Sequence, residues 1–449
     1  MMTKNHRTLL LFLASIFLLI TGFWNGFPFL YPDDGTYFRS GFMPEMPLDR
    51  PITYGLFIYA TSLGGFSLWF TIAIQGLMTT WVVYQVLKSY FDTQDIDFQF
   101  VILIFFLVLT SSISFLTSQL MPDFSTPILL LSQLLLVTNT PLSKNSRNGL
   151  FALFFLTTAM HIGHLAFNIL LITLYLILFF FGKSKYPFLN IKTIGVLALL
   201  TAMSLLTMSA PLAKSSHAFR MGDMAHKGIL NKVLDEKCAE KQWQICQYRD
   251  SMPTSLEDFL WSANSPLNKM GLIESKKEFN DIIWTSYTTP DLLKLHIEES
   301  IKATQKQLVY YSVGEGNAPF KKGDNAFDAL EKTCPASTPQ YLRSREAKDE
   351  LEVINKFNYF LKYFVVLLFW GCFIMLINKV LWSKAYVRLR FFLSFILIGI
   401  FLNAWLSATL IYASNRYGTK MIWLIHLSFF LILLTVYHKK NDNASVAKP

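Results

Sequence analysis

Long apolar runs, separated by short charged segments, make up most of the chain. Several of these runs reach the roughly 18–20 residues that an α-helix needs to cross a bilayer. The pattern predicts an all-α polytopic membrane protein with about ten transmembrane helices. The predicted spans are residues 8–25, 64–87, 98–117, 124–139, 149–161, 164–182, 192–211, 357–378, 391–413 and 420–437.

The run at residues 149–182 is too long for one span and too short for two full ones. Basic residues stand at both of its ends, which indicates an even number of crossings. We therefore predict a hairpin of two short or tilted helices there. The flanking basic residues are Lys144, Arg147, Lys183, Lys185 and Lys192.

A polar stretch at residues 212–356 interrupts the apolar runs and is large enough to fold as a small, mainly helical domain. We call it the insert. It separates an N-terminal transmembrane core of catalytic type (1–211) from C-terminal transmembrane helices (357–438) and a tail (439–449).

The composition supports a membrane protein over a soluble one. Of 449 residues, 53% are hydrophobic and only 16% are charged, whereas soluble domains carry about 25% charged residues. The first run follows Lys4, His6 and Arg7 as a signal peptide would, but it lacks a small-residue cleavage site, so we interpret it as an uncleaved span.

The net charge of +10 comes largely from short loops between spans, where the positive-inside rule explains it. No basic–aromatic nucleic-acid motif accompanies it, so nucleic acid is excluded as a partner. The rule predicts cytoplasmic termini and an extracytoplasmic insert, and we expect the chain to lie in the inner (plasma) membrane. The cytoplasmic basic residues are Lys88, the five named above, Lys379, Lys384, Arg388, Arg390, Lys439 and Lys440.

Four shorter segments fall on the same predicted face as the insert. We name them the acidic loop (26–63), the second loop (118–123), the histidine turn (161–164) and the final loop (414–420). The insert itself holds three cysteines, and an extracytoplasmic space permits a disulfide. Cys238–Cys246 and Cys246–Cys334 both remain open, and no zinc-type spacing is present.

The acidic loop contains Asp33 and Asp34 within the sequence YPDDGTY at residues 31–37. One interpretation is a turn, in which either Asp caps the following helix. The other makes one Asp a general base and its neighbour an orienting group or a metal ligand. Adjacent carboxylates repel, so a raised pKa or a bound cation fits the second interpretation.

Other polar residues on this face are further candidates. Arg50, between Asp49 and Pro51 and shortly before Tyr54, either forms a solvated pair or grips a phosphate. Asp123 in the second loop either caps the next helix or joins the acidic pair.

The last two segments supply histidines and cations. His161 and His164, spaced i and i+3, could share one helix face and bind a metal, act as acid and base, or make polar contacts within the bundle. Arg416 and Lys420 oppose the positive-inside trend, so they either snorkel to lipid headgroups or clamp a phosphate.

The acidic sequence at 32–37, Arg50-Pro51, Asp123, the paired helices near 149–182 and Arg416-Tyr417 together resemble the C-type (GT-C) fold of membrane glycosyltransferases. That superfamily includes protein O-mannosyltransferases and lipid A aminoarabinose transferases. The resemblance covers residues 8–211 well and the C-terminal spans loosely. The insert departs from it and is similar to that of an uncharacterised group of bacterial membrane proteins.

The resemblance implies transfer of a sugar from a polyprenyl-phosphate carrier to an extracytoplasmic glycan, lipid or protein. Asp33 or Asp34 would be the base, Asp123 a further catalytic carboxylate, and Arg416 or Lys420 the phosphate grip, with Arg50, Tyr54, His161 and His164 also binding substrate. A divalent cation is a candidate cofactor. The alternatives are a transporter or flippase for a lipid-linked substrate, or a non-catalytic assembly partner of envelope glycan synthesis.

Overall fold

The computed structural model describes residues 4–43, 45–91, 96–376 and 386–446. Lys379 and Lys384, which we predict to be cytoplasmic, lie outside these residues. Within the described ranges the chain is helical, with no strand and one isolated bridge between Phe29 and Gln119. That bridge ties the acidic loop to the second loop.

The N-terminal half contains eleven α-helices among the described residues. They are α1 (Lys4–Leu18), α2 (Ile20–Asn25), α3 (Asp34–Phe42), α4 (Thr53–Thr61), α5 (Leu68–Tyr90), α6 (Ile96–Thr110), α7 (Ile113–Thr117), α8 (Ser125–Val137), α9 (Lys144–Met160), α10 (Gly163–Phe181) and α11 (Ile191–His226).

The insert continues with shorter helices, and three long helices close the described chain. They are α12 (Ile229–Lys241), α13 (Leu256–Trp261), α14 (Pro266–Met270), α15 (Lys276–Thr288), α16 (Pro290–Leu308), α17 (Asn325–Thr333), α18 (Thr338–Tyr341), α19 (Glu352–Leu376), α20 (Val387–Leu410) and α21 (Asn415–Val446).

Six helices of the described chain are long and apolar enough to cross a membrane: α5, α10, α11, α19, α20 and α21. The described chain is therefore all-helical with six candidate membrane spans, and the predicted count of ten spans is not confirmed. Helix α8 explains part of the difference. It has 13 residues, all of them buried, and at 1.5 Å per residue it extends only about 20 Å. Its apolar residues serve the protein core.

No helix ends at the point where the polar insert begins. Helix α11 continues through Pro211 to His226 and carries the chain out of the apolar region without a break. The change in composition at residue 212 therefore marks a change of surroundings rather than the end of a helix. The run at 149–182 does divide into two helices, α9 and α10, which are interrupted at the histidine turn.

The insert has two parts that pack differently. Its first part has an apolar core of its own, with Met221, Leu230 and Phe279 at its centre, and a Cys238–Cys246 disulfide. Its second part shares the apolar core of the membrane helices, into which it sends Leu330 and Tyr341. This second part packs α17 against α3 and so lies directly on the acidic loop.

Candidate active site

Six charged side chains from four distant parts of the sequence meet in one cluster. Asp33 Oδ1 lies 3.1 Å from Arg50 Nη1, and Asp33 Oδ2 lies 2.9 Å from Arg416 Nη1. We define the charge cluster by its three acids and three bases: Asp33, Asp49, Asp123, Arg50, Arg416 and Lys420. Its formal charges balance in this unliganded form.

Arg416 joins two of the carboxylates. Its Nη1 donates to Asp33 and its Nε donates to Asp123 Oδ2, each over 2.9 Å. Lys420 Nζ lies 3.3 Å from the other oxygen of Asp123. The acidic loop and the second loop are therefore bound to each other through one guanidinium group, as its rigid fork of donors allows.

The backbone around Asp33 leaves its carboxylate free for this role. Asp33 is the residue before α3, yet its side chain makes no capping hydrogen bond to that helix. Asp34 takes the local role instead, because its Oδ2 accepts from the backbone N–H of Tyr31 over 2.8 Å. The turn and the functional interpretations of the pair thus apply to different residues.

Asp34 is removed from solvent and lines neither of the cavities described below. It is fully buried, and its Oδ1 has no hydrogen-bond partner within the described structure. Burial raises the pKa of Asp34 well above its ordinary value, with Asp33 adding to the effect. Burial therefore favours the protonated, uncharged form of the Asp34 carboxyl group.

Asp33 has the opposite electrostatics. Burial alone would raise its pKa, but Arg50 and Arg416 outweigh burial and hold the pKa of Asp33 below its ordinary value. Its side chain keeps about 25% of its surface exposed. Asp33 is therefore an ionised carboxylate with access to the cavities.

The sequence predicts a loop at residues 414–420, but Arg416 and Lys420 lie in a helix. Helix α21 begins at Asn415 and includes both residues, so they lie one turn apart on the same helix face. The polar residues that suggest a loop instead form the first turns of a long helix. Asp123 likewise lies in a short 3₁₀ helix, Pro122–Phe124, that leads into α8.

Three tyrosine rings pack against the cationic side chains, and none of the three is among the candidates predicted from the sequence. The Arg416 guanidinium carbon lies 4.6 Å from the centre of the Tyr31 ring, and that of Arg50 lies 5.2 Å from the Tyr37 ring. Tyr417 lies 5.3 Å from the Lys420 ammonium. All three tyrosines belong to the motifs quoted above, and such contacts are attractive for a desolvated cation.

The two histidines stand beside the charge cluster but do not share a helix face. His161 ends α9, His164 lies in the first turn of α10, and their ring centres are 5.1 Å apart. His164 Nδ1 donates to the Thr157 carbonyl over 2.7 Å, so in a neutral ring its Nε2 accepts from the Thr126 hydroxyl over 2.8 Å. His164 is thereby held in one orientation.

Among the predicted site residues, Tyr54 has a position that does not suit substrate binding. It is fully buried, and its hydroxyl donates to Gln75 Oε1 over 2.7 Å. Gln75 in turn donates to the backbone carbonyls of Thr117 and Gln119. Tyr54 therefore links α4 to the segment that precedes Asp123 and lines neither of the two cavities.

The first cavity, of about 580 Å³, joins the charge cluster to the apolar helices. Its charged end holds Asp33, Arg50, Arg416 and Lys420, with both histidines beside them. The rest is largely apolar and is formed by the first turn of α10, the end of α20 and the part of α11 that continues into the insert, with Asn280 and Ile283 of the insert beside them. Its apolar lining includes Leu165, Phe167, Leu212, Leu406, Leu410 and Ile411.

The second cavity, of about 820 Å³, lies between the acidic loop and the insert. Asp33, Asp49 and Arg50 line both cavities, so this edge of the charge cluster stands where the two meet. The wall that the insert contributes includes Trp261 and Asn268. The two cavities therefore reach the Asp33 carboxylate from different surroundings.

A metal ion is not favoured by the donor set. Among the described residues no group of three or more His, Cys, Asp or Glu side chains could hold one. Asp33 and Asp123 already face guanidinium and ammonium groups, which supply the positive charge that a cation would bring.

No protein-family model, no curated protein and no solved structure matches the chain. Its function is therefore inferred from the charge cluster and the two cavities.

Proposed function

We propose that the protein is a membrane glycosyltransferase that moves a sugar from a polyprenyl-phosphate donor to a polar acceptor. The observation that carries this proposal is the position of Asp33, an ionised carboxylate held by two arginines where two cavities meet. A group transfer between two different substrates needs such a meeting point, with a base and an anion-stabilising group side by side.

The first cavity suits the lipid-linked donor. A polyprenyl phosphate has an anionic head and an apolar tail, and this cavity has a cationic end and largely apolar walls where the ends of α10 and α20 meet the insert. Arg416 and Lys420 would bind the phosphate by charge-assisted hydrogen bonds. The apolar lining from α10, α11 and α20 would receive the isoprenoid chain.

The second cavity suits the acceptor. It opens between the acidic loop and the insert, and it presents Trp261 and Asn268 as well as charged side chains. An aromatic face combined with amide groups can hold a ligand that has both hydroxyl groups and apolar ring faces. The acceptor hydroxyl would then approach Asp33 from the side opposite the donor phosphate.

The reaction follows from these positions. Asp33 accepts the proton of the acceptor hydroxyl while the acceptor oxygen bonds to the anomeric carbon of the sugar. The bond between that carbon and the phosphate oxygen breaks, and its electron pair leaves with the phosphate. Arg416 and Lys420 stabilise the charge that develops on the leaving group.

Donor binding would also activate the base. Arg50 and Arg416 lower the pKa of Asp33 against the effect of burial, which makes it a weak proton acceptor. A donor phosphate that draws Arg416 toward itself removes one of these charges from Asp33. The pKa of Asp33 then rises, so the base becomes effective only when the donor is in place.

The membrane orientation completes the proposal. With basic loops facing the cytoplasm, the insert and both cavities lie on the extracytoplasmic side of the inner membrane. Lipid-linked rather than nucleotide-linked sugars are the donors that fit this side, since the carrier lipid itself stays in the membrane.

Paired substitutions of the acidic residues test the proposal. Asp33→Asn removes the base, so envelope glycan made by cells that carry it as the sole copy should lose the transferred sugar. Asp34→Asn is the matched control, because burial favours the uncharged form of Asp34 and an amide of the same shape should preserve both its packing and transfer. Glycan composition by mass spectrometry gives the readout, with protein levels measured in parallel.

An unchanged glycan with Asp33→Asn at normal protein level would remove the enzyme proposal. Flux of a lipid-linked sugar across proteoliposomes that survives the same substitution would favour a transporter instead. Loss of glycan with Asp34→Asn alone, at normal protein level, would move the base to Asp34 and contradict the assignment of Asp33.

A further inference from the structure

A short segment of the insert builds the start of the helix that carries Arg416. We call residues 310–317 the strap; Gly314 and Gly316 within it both adopt positive φ. The strap runs from the end of α16 to Asn317 and touches both the start of α21 and the acidic loop.

Glu315 makes the most direct of these contacts. One oxygen of its carboxylate accepts from the Ser414 hydroxyl, and the other accepts from the Asn415 backbone N–H over 2.6 Å. The first backbone N–H groups of a helix have no partner within the helix. Glu315 supplies that partner from outside, immediately before Arg416.

Further hydrogen bonds from the insert hold the same turn. Ser312 N donates to Asn415 Oδ1 over 3.0 Å, and its carbonyl accepts from the Thr419 hydroxyl over 2.8 Å. Gln307, at the end of α16, bonds to both the N–H and the C=O of Ser414, each over 2.9 Å. The insert thus bonds to residues on either side of Arg416.

The strap also touches the other wall of the charge cluster. Asn317 donates to the Leu30 carbonyl over 2.9 Å, and Gly316 lies so close to the Tyr31 ring that a Cβ there would overlap it. Tyr31 is the ring that packs on the Arg416 guanidinium. One segment therefore fixes the backbone of Arg416 and the ring against which its side chain rests.

We propose that Glu315 is a positioning residue, which fixes the first turn of α21 so that Arg416 and Lys420 point together at the donor phosphate. This inference rests on the proposed function for its ligand, but the contacts that carry it belong to the insert. It gives the insert a second role, in which its attachment to α21 completes the phosphate site.

The experiment compares Glu315→Ala with Glu315→Gln in the purified full-length protein. The alanine removes both hydrogen bonds, whereas the glutamine can accept from the Asn415 N–H and donate to the Ser414 oxygen. Geranyl phosphate, a short soluble polyprenyl phosphate, is the binding probe. Hydrogen–deuterium exchange of peptides that cover residues 414–420 reports the order of the turn without any ligand.

We expect Glu315→Ala to weaken geranyl phosphate binding about tenfold and to speed exchange at 414–420. Glu315→Gln should restore both to near the wild-type value. Glu331→Ala, at an exposed position of the same insert, is the matched control and should change neither. An intact Cys238–Cys246 disulfide and an unchanged elution volume would show that the alanine variant is folded.

Two results would overturn the inference: unchanged exchange at 414–420 in Glu315→Ala, or faster exchange with unchanged phosphate affinity. A wild-type protein that does not bind geranyl phosphate would count against the proposed donor. In that case the exchange data still decide whether Glu315 orders the turn, so the two failures are distinguishable.

Discussion

Replacement of Arg416 should both destabilise the protein and weaken phosphate binding. Arg416 donates to Asp33 and to Asp123 over 2.9 Å each, and its side chain is only 14% exposed. Removal of one partner from a buried ion pair typically costs about 3–5 kcal/mol. Because Asp33 keeps Arg50 and Asp123 keeps Lys420, we expect Arg416→Gln to fall at the lower end, about 3 kcal/mol.

Arg416→Lys separates charge from geometry. A lysine retains the positive charge, but its single ammonium cannot reproduce two parallel donors from a planar group. It should therefore recover part of the unfolding free energy while losing the link between the two carboxylates. For geranyl phosphate we expect Arg416→Gln to lose about 1.5–3 kcal/mol of binding free energy, the range for a hydrogen bond to a charged group.

The assay is denaturant unfolding in detergent micelles, followed by titration with geranyl phosphate. Arg249→Gln is the matched control, because Arg249 forms an ion pair with Asp235 in which both side chains are about half exposed. Such a pair contributes about 0–1 kcal/mol. If Arg416→Gln and Arg249→Gln had the same unfolding free energy and phosphate affinity, the role of Arg416 as the link between Asp33 and Asp123 and as a phosphate ligand would be refuted.

Three further outcomes are expected. Burial raises the pKa of Glu346 to about 8 from 4.5, so its contribution to the free energy of unfolding is full below pH 4.5 and is lost as the pH rises to about 8. The decline is at most about 1.4 kcal/mol per pH unit. Glu346→Gln should flatten it in unfolding measurements from pH 5 to 9. Gly418→Ala places a Cβ against the strap backbone and should lower the affinity for geranyl phosphate. Gly195→Ala is the control, because there is open space around it. Unchanged affinity in both variants would contradict the close packing of the strap against α21. Loss of the Cys238–Cys246 disulfide through Cys246→Ser should destabilise the insert by roughly 2–3 kcal/mol, as measured by protease susceptibility, and equal susceptibility would contradict it.

The sequence predicts the membrane class and the members of the charge cluster because both depend on local signals. Apolar runs identify helices, polar motifs in the predicted outer loops identify candidate carboxylates and Arg50, and Arg416 and Lys420 stand out because they oppose the positive-inside trend. Asp33, Asp123, Arg50, Arg416 and Lys420 are all found in this way and lie together in the structure. The length of a helix such as α8 is less accessible, because a short apolar run can be a buried core helix as well as a span.

The different roles of Asp33 and Asp34 cannot be predicted from sequence, because they depend on partners far along the chain. Asp33 meets Arg416 across 383 positions. Asp34, one residue away, is fully buried and accepts its hydrogen bond from the backbone N–H of Tyr31, only three residues before it. The strap escapes prediction for the same reason, since Glu315 reaches the start of α21 across about a hundred residues.

The second half of the insert is also invisible as a separate unit in the sequence. Composition indicates one polar stretch from 212 to 356. The structure shows that Leu330 and Tyr341 join the core of the membrane helices, which attaches α17 to the acidic loop. The insert is therefore part of the site that the acidic loop forms.

A structure of the protein with geranyl phosphate bound would test the central claim most directly. The account predicts phosphate oxygens within about 3 Å of Arg416 and Lys420, the isoprenoid chain between α10, α11 and α20, and an Asp33 carboxylate that has lost its contact with Arg416. A phosphate bound elsewhere, with the Asp33–Arg416 pair intact, would contradict it.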